Sequence, residues 1–495
     1  MIDNFIAGSV ALFGDPFTIG IFVFGVIGGM LFGAIPGISM LTLAAILLPF
    51  TANLEPAQGV MLFAVIYCTG TYGGAITAIL FNIPGAPENA PTAFDGYPMT
   101  RNGQSGKAVG AAVLCSAIGG VTSAIVMMAA TEPLANWAIS NIGPPEIFAL
   151  VFFGLAVASS VGGRTLWKGW MSVLLGLLIA TIGQDPVGGI NRYNFGFSDL
   201  AAGIAFVPAI LGFFAVSEIF VQAEKKAIGM YEAPKLSLDF PTILELWTHK
   251  IAVVRSILVG FFCGILPGIG ATLAAFMGYG EAVRWSKNKE SFGKGNLEGV
   301  ISSETANNAA TGAAMIPLLA LGLPGGAMTA LMVGVFQMHD LEPGPMVFYN
   351  SPDLIWIVFA AMFYANLSIL FIGLIETKTI LYLLKIPFQF LAPMILLLSS
   401  IGSYIGRGLV LDVMVMFVAG IMGFLLRRSG YSIPGIVLGI ILGKIGEQNF
   451  AQGMQMVHYD LLEYLSRPIC LLLIIAGSLT LLAGIYKALS YSFKS

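Results

Sequence analysis

Small polar residues gather at four places in an otherwise apolar chain, each beside a Pro-Gly pair. In the first half they are Ser39, Thr42, Thr69, Thr71, Thr77 and Asn82; in the second they are Thr272, Asn307, Asn308 and Thr311. Hydroxyl and amide oxygens coordinate hard cations such as Na⁺, and hydroxyl and amide hydrogens bind carboxylates. The four pairs are Pro36–Gly37 in GAIPGIS, Pro84–Gly85 in NIPGAP, Pro267–Gly268 in GILPGIG and Pro324–Gly325 in GLPGGA. Proline lacks an N–H and glycine loosens the backbone, so each pair interrupts a helix. An interrupted helix offers an N-terminus to anions and freed carbonyls to cations. With no Lys or Arg beside the breaks, an anionic ligand would be held by dipoles, neutral donors and a bound cation. The candidate site therefore comprises Pro36, Gly37, Ser39, Asn82, Pro84, Gly85, Pro267, Gly268, Gly270, Thr272, Asn307, Asn308, Thr311, Pro324 and Gly325. A Na⁺ site is placed near Ser39, Asn82, Asn307 and Asn308.

Other polar and reactive residues read more plainly. Gly25, Gly29 and Gly33, like Gly260 and Gly264, are spaced for close helix packing rather than for ligand contact. Thr42 and Thr77 read as bonding their own helix. Glu304 starts an apolar crossing close to the basic loop around Lys294. It reads as a wetted surface carboxylate, with proton coupling as the alternative. Cys68, Cys115, Cys263 and Cys470 lie in apolar segments at unrelated spacings and read as small buried hydrophobes. His249, His339 and His458 lie far apart in polar connections, without a metal-ligand pattern. No apolar span contains a histidine, and no paired carboxylates stand within one. These absences argue against an intramembrane enzyme.

The elements that hold these groups must lie in a membrane. The chain has 495 residues, is 57% hydrophobic and only 10% charged, against about 25% charged in soluble domains. Apolar runs such as Ile204–Val221, Leu354–Ile375 and Ile469–Ile485 recur along most of its length, each near the ~20 residues that cross a bilayer. No long soluble stretch provides a separate catalytic domain, and nothing suggests nucleic-acid binding. The N-terminal MIDNFIAGSV lacks a basic region, so a cleaved signal peptide is not expected.

Basic residues cluster in alternate loops: Arg101 and Lys107; Arg164 and Lys168; Lys225 to Lys250; Arg284 to Lys294; Lys378 and Lys385; Arg427 and Arg428; and the C-terminal tail. These are placed in the cytoplasm. The intervening loops TANLEPAQ, TEPLANWAISNIGPPE, QMHDLEPGPMVFYNSPD and GEQNFAQGMQMVHYD are placed on the other face, where Arg192 and Arg407 are two exceptions. The N-terminus is then periplasmic and the C-terminus cytoplasmic.

The two halves carry the same breaks in opposite orientation. GAIPGIS and GILPGIG lie 231 positions apart (267 − 36), and NIPGAP and GLPGGA 240 apart (324 − 84). The loop after the first break of the first half has no basic residue, whereas its counterpart is rich in them; after the second break the bias reverses. That is the mark of an inverted-topology repeat. Residues 251–283 have basic sequence on both sides and are too short for two full crossings. They read as a re-entrant hairpin with Pro267–Gly268 at its tip, and 18–50 as its counterpart. Segments 58–94 and 298–337 change side and read as crossing helices broken inside the membrane. The expected architecture is an all-α polytopic protein. It has a first repeat at 1–221, a cytoplasmic linker at 222–250, an inverted second repeat at 251–450 and an additional C-terminal transmembrane helix at 466–488. Irregular backbone is tolerated in a membrane only against protein or a water-filled cavity. Four interruptions related in pairs therefore imply one central polar site.

Four stretches then resemble a known family. GAIPGIS with the following LTLAAILLPF, Tyr72–Gly110, Glu298–Ala327 and TIGQDPVGGINRYNFG (Thr181–Gly196) are similar to the large membrane subunit of the tripartite tricarboxylate transporters, across nearly the whole chain. The resemblance implies a small membrane subunit, a periplasmic binding protein that delivers the substrate, and uptake of a small organic carboxylate driven by a Na⁺ or H⁺ gradient. It carries the family's motifs onto Pro36–Gly37, Asn82 with Pro84–Gly85, Pro267–Gly268, Asn307–Asn308 and Pro324–Gly325. Ser39 stands where the second repeat has Gly270, so the two tips need not do equal work. The leading expectation is a cation-coupled symporter of the bacterial inner membrane with no enzymatic activity and no cofactor beyond its coupling cation. Alternating access would follow an elevator-like motion. A passive carboxylate or ion channel is the alternative. The oligomeric state, the particular carboxylate, the choice of cation and whether the motion is an elevator or a rocking one stay open.

Overall fold

The computed structural model describes residues 1–35, 38–161, 166–185, 188–224, 241, 243–268, 270–383 and 388–492. The chain is almost entirely helical. It begins with α1 (Ile2–Gly14), α2 (Pro16–Ala34), α3 (Met40–Leu47), α4 (Pro56–Phe81), α5 (Ala90–Arg101), α6 (Ser105–Asn141), α7 (Pro144–Val161) and α8 (Leu166–Ala180). A two-residue antiparallel ladder follows, pairing Gly183 with Arg192 and Gln184 with Asn191. Then come α9 (Phe206–Ile210), a π-helical stretch Leu211–Val216 and α10 (Ser217–Glu224), continuous as one rod. The later part holds α11 (Ile243–Thr248), α12 (Lys250–Ile265), α13 (Gly270–Trp285), α14 (Leu297–Leu321), α15 (Ala327–Met338), α16 (Val347–Asn350), α17 (Pro352–Leu383) and α18 (Phe388–Ile405). It ends with α19 (Val410–Arg428), α20 (Ile433–Met456), α21 (Leu461–Ser466) and α22 (Pro468–Ser492).

Local sequence explains the helix starts. Asp15 accepts from the Thr18 amide (2.9 Å) and hydroxyl (2.7 Å), with Pro16 in the first turn of α2. Those bonds hold the Asp15 carboxyl below its ordinary range. Gln58 accepts from the Glu55 amide at the start of α4, and Asn296 accepts from the Glu298 amide at the start of α14.

Among the described residues, six helices are long and apolar enough to cross a membrane, and the outer surface suits hydrocarbon. Ile251, Val254, Leu258 and Phe262 of α12 are exposed in a stripe spaced three or four apart. So are Val410, Met414, Val418, Ile421 and Leu425 of α19, and Leu471, Ile475, Leu479 and Leu482 of α22. Apolar faces turned outward on such helices belong to a multi-pass membrane protein.

The centre is built on α4 and α14, both buried along nearly their whole length. Helix α2 packs along α4; α12 and α13 pack on each other and both on α14; α6 lies along α14; and α17 bridges α4 and α6. The close contacts repeat with the sequence offsets. A Cβ at Gly29 would lie 2.2 Å from Thr69 Oγ1 and 3.0 Å from Ile66 Cα; one at Gly260 would lie 2.3 Å from the Ala306 carbonyl and 2.8 Å from Ala309 Cβ. Gly33 meets the Gly70 carbonyl as Gly264 meets that of Ala310. At the breaks, Gly85 meets the Gly33 carbonyl and Gly74, and Gly325 meets the Gly264 carbonyl and Ala314. Helices α4 and α14 even stop alike, in left-handed caps at Asn82 (φ 58°) and Gly322 (φ 74°), 240 positions apart. The glycine rows are packing surfaces, as their spacing indicates.

The expected linker falls largely on residues 225–240 and 242, outside the described residues. The basic exceptions at Arg192 and Arg407 are neutralised. Arg192 forks onto Glu447 (2.5 and 3.0 Å), and Arg407 donates to both Asp412 oxygens and to the Gly203 carbonyl. Asp412 raises the proton affinity of Arg407, keeping it charged. The cysteines described are all buried and free.

Candidate functional site

A helix buried on all sides has no solvent for its side chains, so every polar group on α14 must find a partner in protein. It carries Ser302, Ser303, Glu304, Thr305, Asn307, Asn308 and Thr311, none more than 1% exposed. Glu304 is fully buried. Its Oε1 accepts from Thr92 Oγ1 of α5 (2.5 Å) and Asn307 Nδ2 (3.3 Å), and its Oε2 from Ser116 Oγ of α6 (2.9 Å). The expected wetted surface carboxylate is thus corrected. Helices α5 and α6 close over Glu304 because both dock on α14, and proximity to the Lys294 loop in sequence does not bring it to the surface.

The segment that follows the first break reaches this place. Between α4 and α5, Pro87–Asn89 forms one 3-10 turn. Its Glu88 is only 6% exposed and its Asn89 fully buried. Asn307 Nδ2 donates to the Glu88 carbonyl (3.4 Å), the Thr272 hydroxyl of α13 to Glu88 Oε2 (3.4 Å), and Asn89 Nδ2 to the Thr71 carbonyl (2.8 Å). Glu88 and Glu304 thereby share Asn307 as a neighbour, 216 positions apart in the chain (304 − 88). The Glu88 contact runs through its main-chain carbonyl, so the two residues share a neighbour without their carboxylates forming a pair.

One turn along, Asn308 Nδ2 donates to the Cys68 carbonyl of α4 (3.2 Å), and Thr311 Oγ1 to the Asn308 carbonyl (2.8 Å) and against Cys68 Sγ (3.7 Å). The side-chain oxygens of Asn89, Asn307, Asn308 and Asn366 are buried without a hydrogen-bond partner. A buried amide oxygen left unpaired costs about 1–3 kcal/mol, and these four mark the candidate site.

The expected residues divide. Asn307, Asn308, Thr311 and Thr272 join the polar centre. Gly270 (φ 64°) lies 3.6 Å from the Gly326 Cα by its notional Cβ, so the start of α13 abuts the second break at Pro324–Gly325. Pro84–Gly85 packs on Gly33 and Gly74. Pro267 and Gly268 face α7, at Gly154 and Ala158. Asn82 is exposed and closes α4, where its short side chain tolerates the left-handed conformation that glycine takes at 322. Ser39 is half-buried ahead of α3 and its side chain makes no capping bond. Thr77 bonds within α4, to the Gly74 carbonyl. Pro36 and Gly37 lie outside the described residues. Glu88, Asn89, Thr92, Ser116 and Asn366 were not legible as site residues. The polar pair in GAPENAP and the lone Asn366 in an apolar run were their only signals. Among the described residues, no group of three or more His, Cys, Asp or Glu is placed to hold a metal ion.

Comparison with known proteins matches residues 19–438 to the model of the Tripartite tricarboxylate transporter TctA family. An uncharacterized 52.8 kDa protein in the TAR-I ttuC' 3' region of Agrobacterium vitis is 36% identical over 478 residues, 95% of this chain and 93% of that protein. A second uncharacterized protein, in the TAR-II ttuC' 3' region of the same organism, is 37% identical over 210 residues, 42% of this chain and 87% of its own length. No solved structure matches the chain.

Proposed function

The chain belongs to the tripartite tricarboxylate transporter TctA family, the transporter subunit of three-part systems, and on that premise we propose a cation-coupled carboxylate symporter of the bacterial inner membrane. Its partners are a small membrane subunit and a periplasmic binding protein that delivers the substrate. The observation that carries the reading is the polar centre between α4 and α14. Buried amide oxygens there lack partners, and the turn after the first break meets α14 there. The unpartnered atoms are amide oxygens, which accept and so suit a coupling cation rather than the carboxylate itself. The matched glycine contacts support two repeats, and the alternating charge of the loops supports their inversion. In this reading α12 and α13 form a re-entrant hairpin whose tip rests on α7, while α2 and α3 form its counterpart. The hairpin carries the site past α7 in an elevator-like stroke.

The test is uptake into proteoliposomes containing the chain and its small partner, with the binding protein outside and a panel of radiolabelled carboxylates. Accumulation that needs both the binding protein and an inward cation gradient is expected, and its loss in Asn308→Ala. Equilibration independent of any gradient would make the protein a channel. The stroke is tested by a Val157→Cys/Leu266→Cys pair in a chain whose native cysteines are replaced. Both residues belong to the same packed cluster. Crosslinking that forms in one orientation of the gradient and not the other is expected, and equal crosslinking in both would rule the stroke out.

A further inference from the structure

The polar centre has an excess of acceptors around one negative charge. Glu304 and Glu88 make no ion pair among the described residues. Several basic groups on or beside the surrounding helices are engaged elsewhere: Lys107 with Glu245, Arg255 with the Glu281 carbonyl, Arg284 with Glu281, and His249 beside Glu298. The titratable groups nearest the two residues add no positive charge: Cys115 of α6 interacts with Glu304, and Tyr67 of α4 with Glu88. Asp95 is taken up by the Tyr279 hydroxyl and by the amides of Gly295 and Asn296. An ionised carboxylate shut away from water needs a compensating charge.

Asn307 shows where that charge would sit. Its Nδ2 reaches Glu304 Oε1 and the Glu88 carbonyl at 3.3 and 3.4 Å, both long for a hydrogen bond, while its buried Oδ1 has no partner at all. Turned about χ2, the amide directs Oδ1 at the same two oxygens. Three oxygens then converge, which repels unless a cation lies among them. Thr92 Oγ1, 2.5 Å from Glu304 Oε1, is a further oxygen of the same cluster. One carboxylate with neutral oxygens suits a small hard monovalent ion.

We infer that Glu304, Asn307 and the Glu88 carbonyl, with Thr92 beside them, form a dehydrated Na⁺ site. The site deepens the symporter reading and rests on it for its purpose, but its occupancy is measurable without transport. The experiment is equilibrium binding of radioactive ²²Na⁺ to the full chain in lipid nanodiscs, with no carboxylate present. Saturable binding is expected, weakening as pH falls because protons compete for the same carboxylate. Glu304→Gln should abolish it. Asn307→Ala and Thr92→Val should weaken it by about 10- to 100-fold, the range for groups that tune an ion site. Glu304→Asp keeps the charge and serves if the glutamine variant is not monodisperse; it should bind weakly. No saturable binding by the native chain, or full binding by Glu304→Gln, would overturn the site. Uptake driven by sodium in Glu304→Gln would sink the site and leave the symporter standing. Normal Na⁺ binding in a chain that accumulates no carboxylate would do the reverse.

Discussion

Helices α4 and α14 occupy matched places yet carry unlike chemistry. Each is gripped by a partner helix through glycines at equivalent positions, each ends in a left-handed cap, and each is followed by a break. Stepping back 240 positions from Glu304, Asn307 and Asn308 gives Ala64, Tyr67 and Cys68; only Thr311 finds its like, in Thr71. The break segments are unequal in the opposite sense. Glu88 and Asn89 answer to Met328 and Thr329. One half therefore contributes polar groups from its helix and the other from the turn after its break. A duplicated frame needs its packing in both copies, because each copy must bury its own helix. A single ligand needs its contacts once.

That contrast can be broken most sharply at the breaks. Gly85→Ala would place a Cβ 1.8 Å from the Gly33 carbonyl, against 2.9 Å from the Gly264 carbonyl for Gly325→Ala. The first should cost above about 4 kcal/mol and the second about 1–3 kcal/mol, read as thermal unfolding of the purified chain. Equal losses would mean that the frame is more symmetric than these contacts. The caps come next. Gly322→Ala must hold a Cβ in left-handed backbone, 2.5 Å from the Pro343 carbonyl, and should cost about 2 kcal/mol or more. Asn82→Gly should shift stability by no more than about 0.5 kcal/mol. A large loss of uptake in Asn82→Gly would instead give the Asn82 amide a role with the ligand.

A smaller effect is expected where the helices cross. Asn308→Ala removes the bond to the Cys68 carbonyl and should cost about 1–2 kcal/mol while abolishing uptake. Cys68→Ala keeps the carbonyl and should leave uptake intact. If both variants transport, the chemistry is not confined to α14. Smallest is a pH effect in the connection after α15. Burial lowers the proton affinity of His339, whose Nε2 has no partner. The unfolded chain takes up a proton below about pH 6.5 and the folded chain resists it, so stability should fall as pH drops through that range. His339→Gln should flatten the slope.

Much of this frame is legible in the sequence, for physical reasons. Pro-Gly pairs and glycine spacing report on backbone, and backbone constraints are local. The four breaks and the packing role of Gly29, Gly33, Gly260 and Gly264 follow from them. The contents of the site are less legible. Glu304 misleads because burial depends on α5 and α6 folding over it. Glu88 and Asn89 escape notice because a turn of three residues has no periodicity to reveal which way it faces. Asn82, expected at the site beside a motif, closes α4 in the left-handed conformation that glycine takes at 322. For Glu304, Glu88 and Asn89 the deciding partners lie far away in the chain.

The backbone-to-backbone contacts at Gly33, Gly70, Gly264 and Ala310 also set the mechanics. Where two helices mesh through side chains, one can slide past the other as rotamers give way. Here the teeth are carbonyl groups and the gaps are missing Cβ atoms, so an axial step of ~1.5 Å per residue would drive one into the next with nothing soft to yield. Helices α2 and α4, and likewise α12 and α14, are geared pairs. Whatever stroke the protein makes, each pair must travel as a single part, and the slip must occur along surfaces where no such teeth engage.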